Sequence, residues 1–113
     1  MHGRIAALVL VAGGGALGSL LRYGVDLAVG GPAGTLLVNV VGSFALGVLT
    51  VGLLPERVRL FAATGLCSSF TTYSTFAVDA ISLDGVAGVV YVAATYVLGV
   101  AAAAAGVTVG RNR

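Results

Sequence analysis

Charge is what this sequence has least of. Lysine is absent, so its six cations are all arginine, and with four acids the charged share reaches only 9%. A soluble domain typically carries about 25%. Cysteine is represented once, by Cys67, which excludes an intrachain disulfide; no metal-ligand spacing surrounds it. Only two prolines accompany 18 glycines, a ratio that excludes collagen and a disordered linker. The net charge of +2 is too small and too scattered for a nucleic-acid face, and no basic patch carries interleaved aromatics. Neither G-x-x-x-x-G-K-S nor H-E-x-x-H is present. No nucleophile stands beside a base, and the single histidine, His2, is an isolated terminal residue expected in solvent. No enzyme is expected.

What the sequence does have is apolar surface. It is 58% hydrophobic over 113 residues, with a mean hydropathy of +1.08. Small domains leave much of their surface in water, so this much apolar area has no soluble solution. The expected fold is an all-α membrane protein of one transmembrane domain, residues 1–113. A spanning helix needs roughly 20 mostly apolar residues, and four stretches qualify: roughly 4–26, 33–53, 57–80 and 85–109. Short connections separate them, GGP at 30–32, PER at 55–57 and SLDG at 82–85. Pro32 and Pro55 stand at helix ends, where a missing N–H costs least. Arg4 precedes an apolar run as in a signal peptide, but no small-x-small cleavage site ends that run, so a retained helix is expected.

Arginine placement orients the spans. With the N-terminus cytoplasmic, Arg4, Arg57, Arg59, Arg111 and Arg113 all lie inside and only Arg22 lies toward the outside, with Asp26, Asp79 and Asp84. Such a bias favours cytoplasmic N- and C-termini in a cell membrane. Four spans can hardly enclose a pore, so an oligomer is expected. Small residues four apart, Gly14 with Gly18, Ser43 with Gly47 and Ala102 with Gly106, mark close helix contacts within or between chains.

Polar groups at membrane depth must find partners or line water. Asn39 lies inside the second span, as a helix clasp or as an amide donor to a passing ion. Arg22 lies near the end of the first, snorkelling to the interface or lending positive potential to a pore mouth. Tyr91 and Thr95 share one face of the fourth, four residues apart. Tyr91 and Tyr96 also suit an interfacial belt or simple packing. The third span differs in kind. Residues 67–76 read CSSFTTYSTF, with hydroxyls at Ser68, Ser69, Thr71, Thr72, Tyr73, Ser74 and Thr75 and no charge. One or two hydroxyls can bond a carbonyl one turn back; seven in ten positions weaken the helix, so a break is expected here. Broken backbone at this depth must be buried in protein or line a cavity. Freed carbonyls suit a cation, and N–H and O–H groups suit an anion. Phe70, Tyr73 and Phe76 recur every third residue, and ring edges are electropositive; packing is the alternative use of that spacing. The spans lack a central acid for proton-coupled export of cations.

Three segments resemble the Fluc/CrcB family of small fluoride channels: GGGALGSLLRYG (13–24), GTLLVNVVGSFALG (34–47) and TGLCSSFTTYSTF (64–76). The resemblance covers nearly the whole chain. It implies passive export of cytoplasmic fluoride through an antiparallel dimer of four-span chains, each with its third helix broken at the centre. It implies a structural Na⁺ at the dimer interface, held by backbone carbonyls at Ser68 and Thr71. The pore residues it implies are Asn39, Tyr73, Ser74, Thr75 and Phe76, extended by Tyr91 and Thr95, with Arg22 in the vestibule. Two departures are local: Ser68-Ser69 replaces the family's Gly-Gly, and Tyr73 replaces a phenylalanine. A third is global. Chains that insert both ways should have balanced loops, and this arginine bias points instead to an oppositely oriented paralogue as partner, with the homodimer as the alternative. A small multidrug-type proton-coupled transporter and a non-transporting membrane subunit are the rival readings. The absent acid in the first span argues against one, and the concentration of donors against the other.

Overall fold

The computed structural model describes residues 2–112; Met1, the side chain of His2 and all of Arg113 lie outside the described residues. Among the described residues there are helices and turns and no strands. Helix α1 spans His2–Ala28, α2 Gly31–Val51, α3 Glu56–Arg59, α4 Ser68–Phe70, α5 Ser74–Ser82 and α6 Gly85–Arg111; a π-helical stretch, Leu60–Cys67, joins α3 to α4. Three of these, α1, α2 and α6, are long and apolar enough to cross a membrane. At 1.5 Å per residue the 27 residues of α1 reach about 40 Å, beyond the roughly 30 Å hydrocarbon core. The four sequence stretches thus correspond to α1, α2, the composite segment 56–82 and α6, with helix ends shifted by a few residues. The chain is a multi-pass membrane protein.

Local chemistry sets the ends. Gly30 and Gly31 both take positive φ, 66° and 63°, so the chain turns sharply before Pro32 opens α2. Helix α2 stops at Gly52, which is extended at ψ 146°, and Pro55 caps α3. Asp84 and Gly85, at φ 57° and 54°, make the turn into α6.

Two helix pairs build the chain. In the first, α1 lies against the π-helical stretch and α4. A Cβ on Gly65 would meet the Val11 carbonyl at 2.6 Å and the Gly14 Cα at 2.9 Å; a Cβ on Gly14 or Gly18 would strike the backbone of Phe61 or Leu66. In the second pair, α2 runs along α6. There a Cβ on Gly106 would strike the Phe44 carbonyl, and one on Gly47 the Ala103 carbonyl. Gly14, Gly18, Gly47 and Gly106 therefore serve contacts inside one chain. Backbones this close are the lipid-embedded form of tight packing. Few side chains among the described residues are buried as a result: Val38, Thr35, Cys67, Phe76 and Tyr91 lead. The remainder of the apolar surface faces outward, as a bilayer requires.

Candidate functional site

The segment 56–82 changes character at its middle. Phe70 closes α4, Thr71 is extended at φ −81°, ψ 160°, and α5 resumes at Ser74. Thr71 still donates its N–H to the Cys67 carbonyl at 3.1 Å. Thr72 has no helical partner. Its N–H donates to Asn39 Oδ1 at 2.8 Å, and its carbonyl accepts from Asn39 Nδ2 at 2.9 Å. One side chain on α2 thus replaces both backbone bonds that Thr72 forgoes. An Asn amide has two N–H donors, so one remains after the clasp. The two uses of Asn39 read from the sequence, clasp and donor, are compatible in this geometry.

Among the described residues no backbone N–H donates to the carbonyl of Ser68 or of Thr71. Ser68 itself sits at φ −63°, ψ −35°, ordinary helical values, and no positive φ occurs within 56–82. Serine in place of glycine therefore carries no backbone strain here.

A cleft of about 290 Å³ opens at this point. Helix α2 contributes Asn39, Gly42 and Ser43; the middle segment contributes Ser68, Thr71, Thr72, Tyr73 and Phe76; α6 contributes Thr95 and Tyr96. Phe76, 6% exposed, is the centre of an aromatic cluster. Its ring centroid lies 5.7 Å from Tyr73, 5.6 Å from Tyr91 and 6.0 Å from Tyr96, the last edge-on at 87°. Tyr73 is 73% exposed and stands at the open side of the cleft.

The predicted residues divide accordingly. Asn39, Ser68, Thr71, Tyr73, Phe76 and Thr95 meet at the cleft. Tyr91 lies behind Phe76, buried, its hydroxyl donating to the Pro32 carbonyl at 3.3 Å. Ser74 and Thr75 are exposed beside it; the Thr75 N–H donates to Thr72 Oγ1 at 3.2 Å. Arg22 is half-buried on α1 and does not line the cleft. Some of the hydroxyls are occupied locally: Thr71 Oγ1 donates to the Cys67 carbonyl at 3.0 Å, and Thr95 Oγ1 to the Tyr91 carbonyl at 2.8 Å. Each keeps its lone pairs but has committed its one proton.

Sequence reasoning missed two residues. Ser43, read only as a small packing residue, lines the cleft. Thr35, 3% exposed, donates to Asp79 Oδ2 at 2.7 Å, a pairing across 44 residues. A threonine near the start of α2 and a late aspartate were the only signals, and nothing in either predicts the other. A carboxylate this far along the segment needs a donor, and Thr35 is the one it has. Thr35→Val, nearly isosteric, removes it and is expected to lower stability by about 1.5–3 kcal/mol. A depressed thermal midpoint in detergent, restored in Thr35→Ser, is the expected reading; an unchanged midpoint in Thr35→Val refutes this role.

Comparison with known proteins places this geometry in context. The family model for CrcB-like protein, Camphor Resistance (CrcB), matches residues 9–107. The chain is 52% identical over 113 residues to a protein of Haloarcula marismortui named fluoride-specific ion channel FluC 1, covering 96% of this chain and 85% of that one. It is 47% identical over 100 residues to FluC 1 of Natronomonas pharaonis (82% and 84% covered). It is 44% identical over 121 aligned positions to the fluoride-specific ion channel FluC of Agrobacterium fabrum (93% and 96%).

Proposed function

The chain belongs to the CrcB-like family, and from that premise we propose that it is a fluoride-specific ion channel, not an enzyme, exporting cytoplasmic F⁻ passively. Its relatives' names support this reading, and no observation favours the proton-coupled transporter or the non-transporting subunit. The structural observation that carries it is the Asn39 clasp on Thr72, which holds non-helical backbone open beside a cleft of neutral donors and ring edges.

Fluoride is small and strongly hydrated, so a passage must replace its water with donors. The free N–H of Asn39, the hydroxyls of Ser74 and Thr75 and the ring edges of Tyr73 and Phe76 are assigned that task. Tyr91 and Thr95 extend the track along α6, and Arg22 draws anions to its mouth. A narrow donor-lined passage is also the expected basis for rejecting chloride. The driving force needs no ATP. Fluoride that entered as neutral HF dissociates inside, and a cell negative inside expels it with about 2.3 kcal/mol per charge per 100 mV.

One chain leaves the cleft open, with Ser68, Tyr73, Ser74 and Thr75 exposed. A second, antiparallel chain is assigned to close it. The Ser68 and Thr71 carbonyls, lacking backbone donors, fit a hard cation, and the structural Na⁺ is assigned to them. When bound, it would neutralise carbonyl dipoles that the break sets free. Protein prepared with choline in place of Na⁺ is expected to lose fluoride efflux, and readdition of Na⁺ to restore it; full efflux without Na⁺ would refute the assignment.

The up-and-down course of the helices puts Arg4, Arg57, Arg59 and Arg111 at one pole. Such asymmetry supports a single orientation in the cell membrane with the termini cytoplasmic, and therefore an oppositely oriented paralogue as partner. A C-terminal tag is then expected on one face only; a tag on both faces would establish the dual-topology homodimer. The function itself is tested by reconstituting the protein, with the paralogue where the genome supplies one, and reading F⁻ efflux with an electrode. Rapid F⁻ loss without Cl⁻ loss is expected; no efflux from either preparation would overturn the channel reading.

A further inference from the structure

The arginine-rich pole holds a second cavity, unrelated to the cleft. Where α2 ends and α6 ends beside it, a groove of about 450 Å³ opens between Val48 and Val51 on one side and Gly110 on the other. It opens because Gly52 turns the chain out of the helix, while Gly110 at its base lets the two helices touch; a Cβ there would meet the Val48 carbonyl at 2.8 Å. Leu53 and Leu54 form its lip, and Leu53 is wholly exposed. Two guanidinium groups mark its rim. Arg59 donates through Nη2 to the Gly52 carbonyl at 2.8 Å, which fixes it at the groove and leaves other N–H donors free. Arg111 lines the groove, is exposed and has no hydrogen-bond or ion-pair partner among the described residues.

Charge at this pole is one-sided. Among the described residues Arg4, Arg57, Arg59 and Arg111 face a single acid, Glu56, giving +4 − 1 = +3. At the other pole Arg22 faces Asp26, Asp79 and Asp84, giving +1 − 3 = −2. The groove therefore joins apolar walls running along two membrane helices to cations at the depth of lipid headgroups.

We infer that this groove binds an anionic phospholipid, its phosphate on Arg59 and Arg111 and an acyl chain against Val48, Val51, Leu53 and Leu54. A free phosphate fits less well. The converging C-termini of α2 and α6 present the negative ends of their dipoles, so the anion depends on the two guanidinium groups, and the apolar walls reward only a ligand with a tail. Arginine forks suit phosphate, and basic pockets between membrane helices bind anionic headgroups. The inference rests on membrane embedding alone and stands whether or not the pore conducts fluoride.

The test uses the full chain in nanodiscs of equal phosphatidylglycerol and phosphatidylcholine, with retained lipid counted by native mass spectrometry. Preferential retention of phosphatidylglycerol is expected. Arg111→Gln is expected to lower it roughly five-fold, the factor for about 1 kcal/mol per arginine near an anionic surface. Arg111→Lys should keep most of it, and Leu53→Ser, at a wholly exposed position, should reduce it without touching charge. Arg4→Gln removes the same charge from the same pole but from α1, which packs on Leu60–Cys67 rather than along α6, and should leave retention unchanged. Equal loss in Arg4→Gln and Arg111→Gln would overturn the site in favour of diffuse pole charge. Absence of lipid preference in the wild type would overturn it outright. Displacement of the lipid by inorganic phosphate, with Leu53→Ser without effect, would reduce it to a headgroup contact and overturn the acyl assignment.

Discussion

Asn39→Ala is expected to lower fluoride efflux about 100-fold or more. Two losses coincide in this one substitution. The Thr72 N–H and carbonyl, bonded to Asn39 at 2.8 and 2.9 Å, both lose their partner. Neither has a helical substitute, since Thr71 is already extended and α5 begins only at Ser74. Each buried unpaired group costs about 1–3 kcal/mol, and lipid offers no water to take over. The backbone must then shift toward a closed helix or lose its position against α2. The second loss is the remaining amide N–H, assigned to the ion. Asn39→Asp separates the two. A carboxylate still accepts from the Thr72 N–H, so part of the clasp survives, but it presents charge instead of a donor to an anion. If the amide serves fluoride, Asn39→Asp is as inactive as Asn39→Ala while melting at a higher temperature. Wild-type efflux in Asn39→Ala would remove Asn39 from both roles.

How the cleft residues meet was only partly legible in the sequence. Hydropathy singled out α1, α2 and α6, because each is a continuous apolar run with ends marked by Gly30, Pro32, Gly52, Pro55 and Asp84, whereas the third stretch, 57–80, is no single continuous helix. The hydroxyl run singled out 67–76 because seven such side chains in ten positions at membrane depth need a reason. Two things escaped. The π-helical winding of Leu60–Cys67 leaves no sequence pattern; it accompanies the approach of Gly65 to Gly14 and Val11, a tertiary contact. Likewise Thr35 and Asp79 come together only when α2 and α5 are side by side, and a bond 44 residues long has no local signature. The hydroxyls were also read too uniformly. Thr71 and Thr95 donate to carbonyls one turn back, as isolated threonines in membrane helices do, whereas Ser74 and Thr75 stand exposed beside the break. Residue type was visible; the direction of each proton was not.

Phe76→Leu is the second substitution with a large expected effect, a loss of efflux of about 10- to 100-fold in a chain that still folds. Leucine keeps much of the apolar bulk but abolishes the ring, and with it two separate things. The first is structural. Phe76 touches Tyr73, Tyr91 and Tyr96, and such ring pairs contribute about 0.5–1.5 kcal/mol each beyond burial, without strict additivity. Its loss removes the ring against which Tyr73 packs and which meets Tyr96 at a near right angle. The second is electrostatic, because a leucine has no electropositive edge to offer an anion. Phe76→Tyr keeps ring, edge and most of the packing, so it divides the two accounts from the other side. Efflux retained in Phe76→Tyr and lost in Phe76→Leu assigns the effect to the ring. Loss in both points to a site too tightly enclosed, at 6% exposure, to admit one more hydroxyl. Full efflux in Phe76→Leu would leave the aromatic cluster with packing as its only role, and the anion path would then rest on Asn39 and the hydroxyls alone.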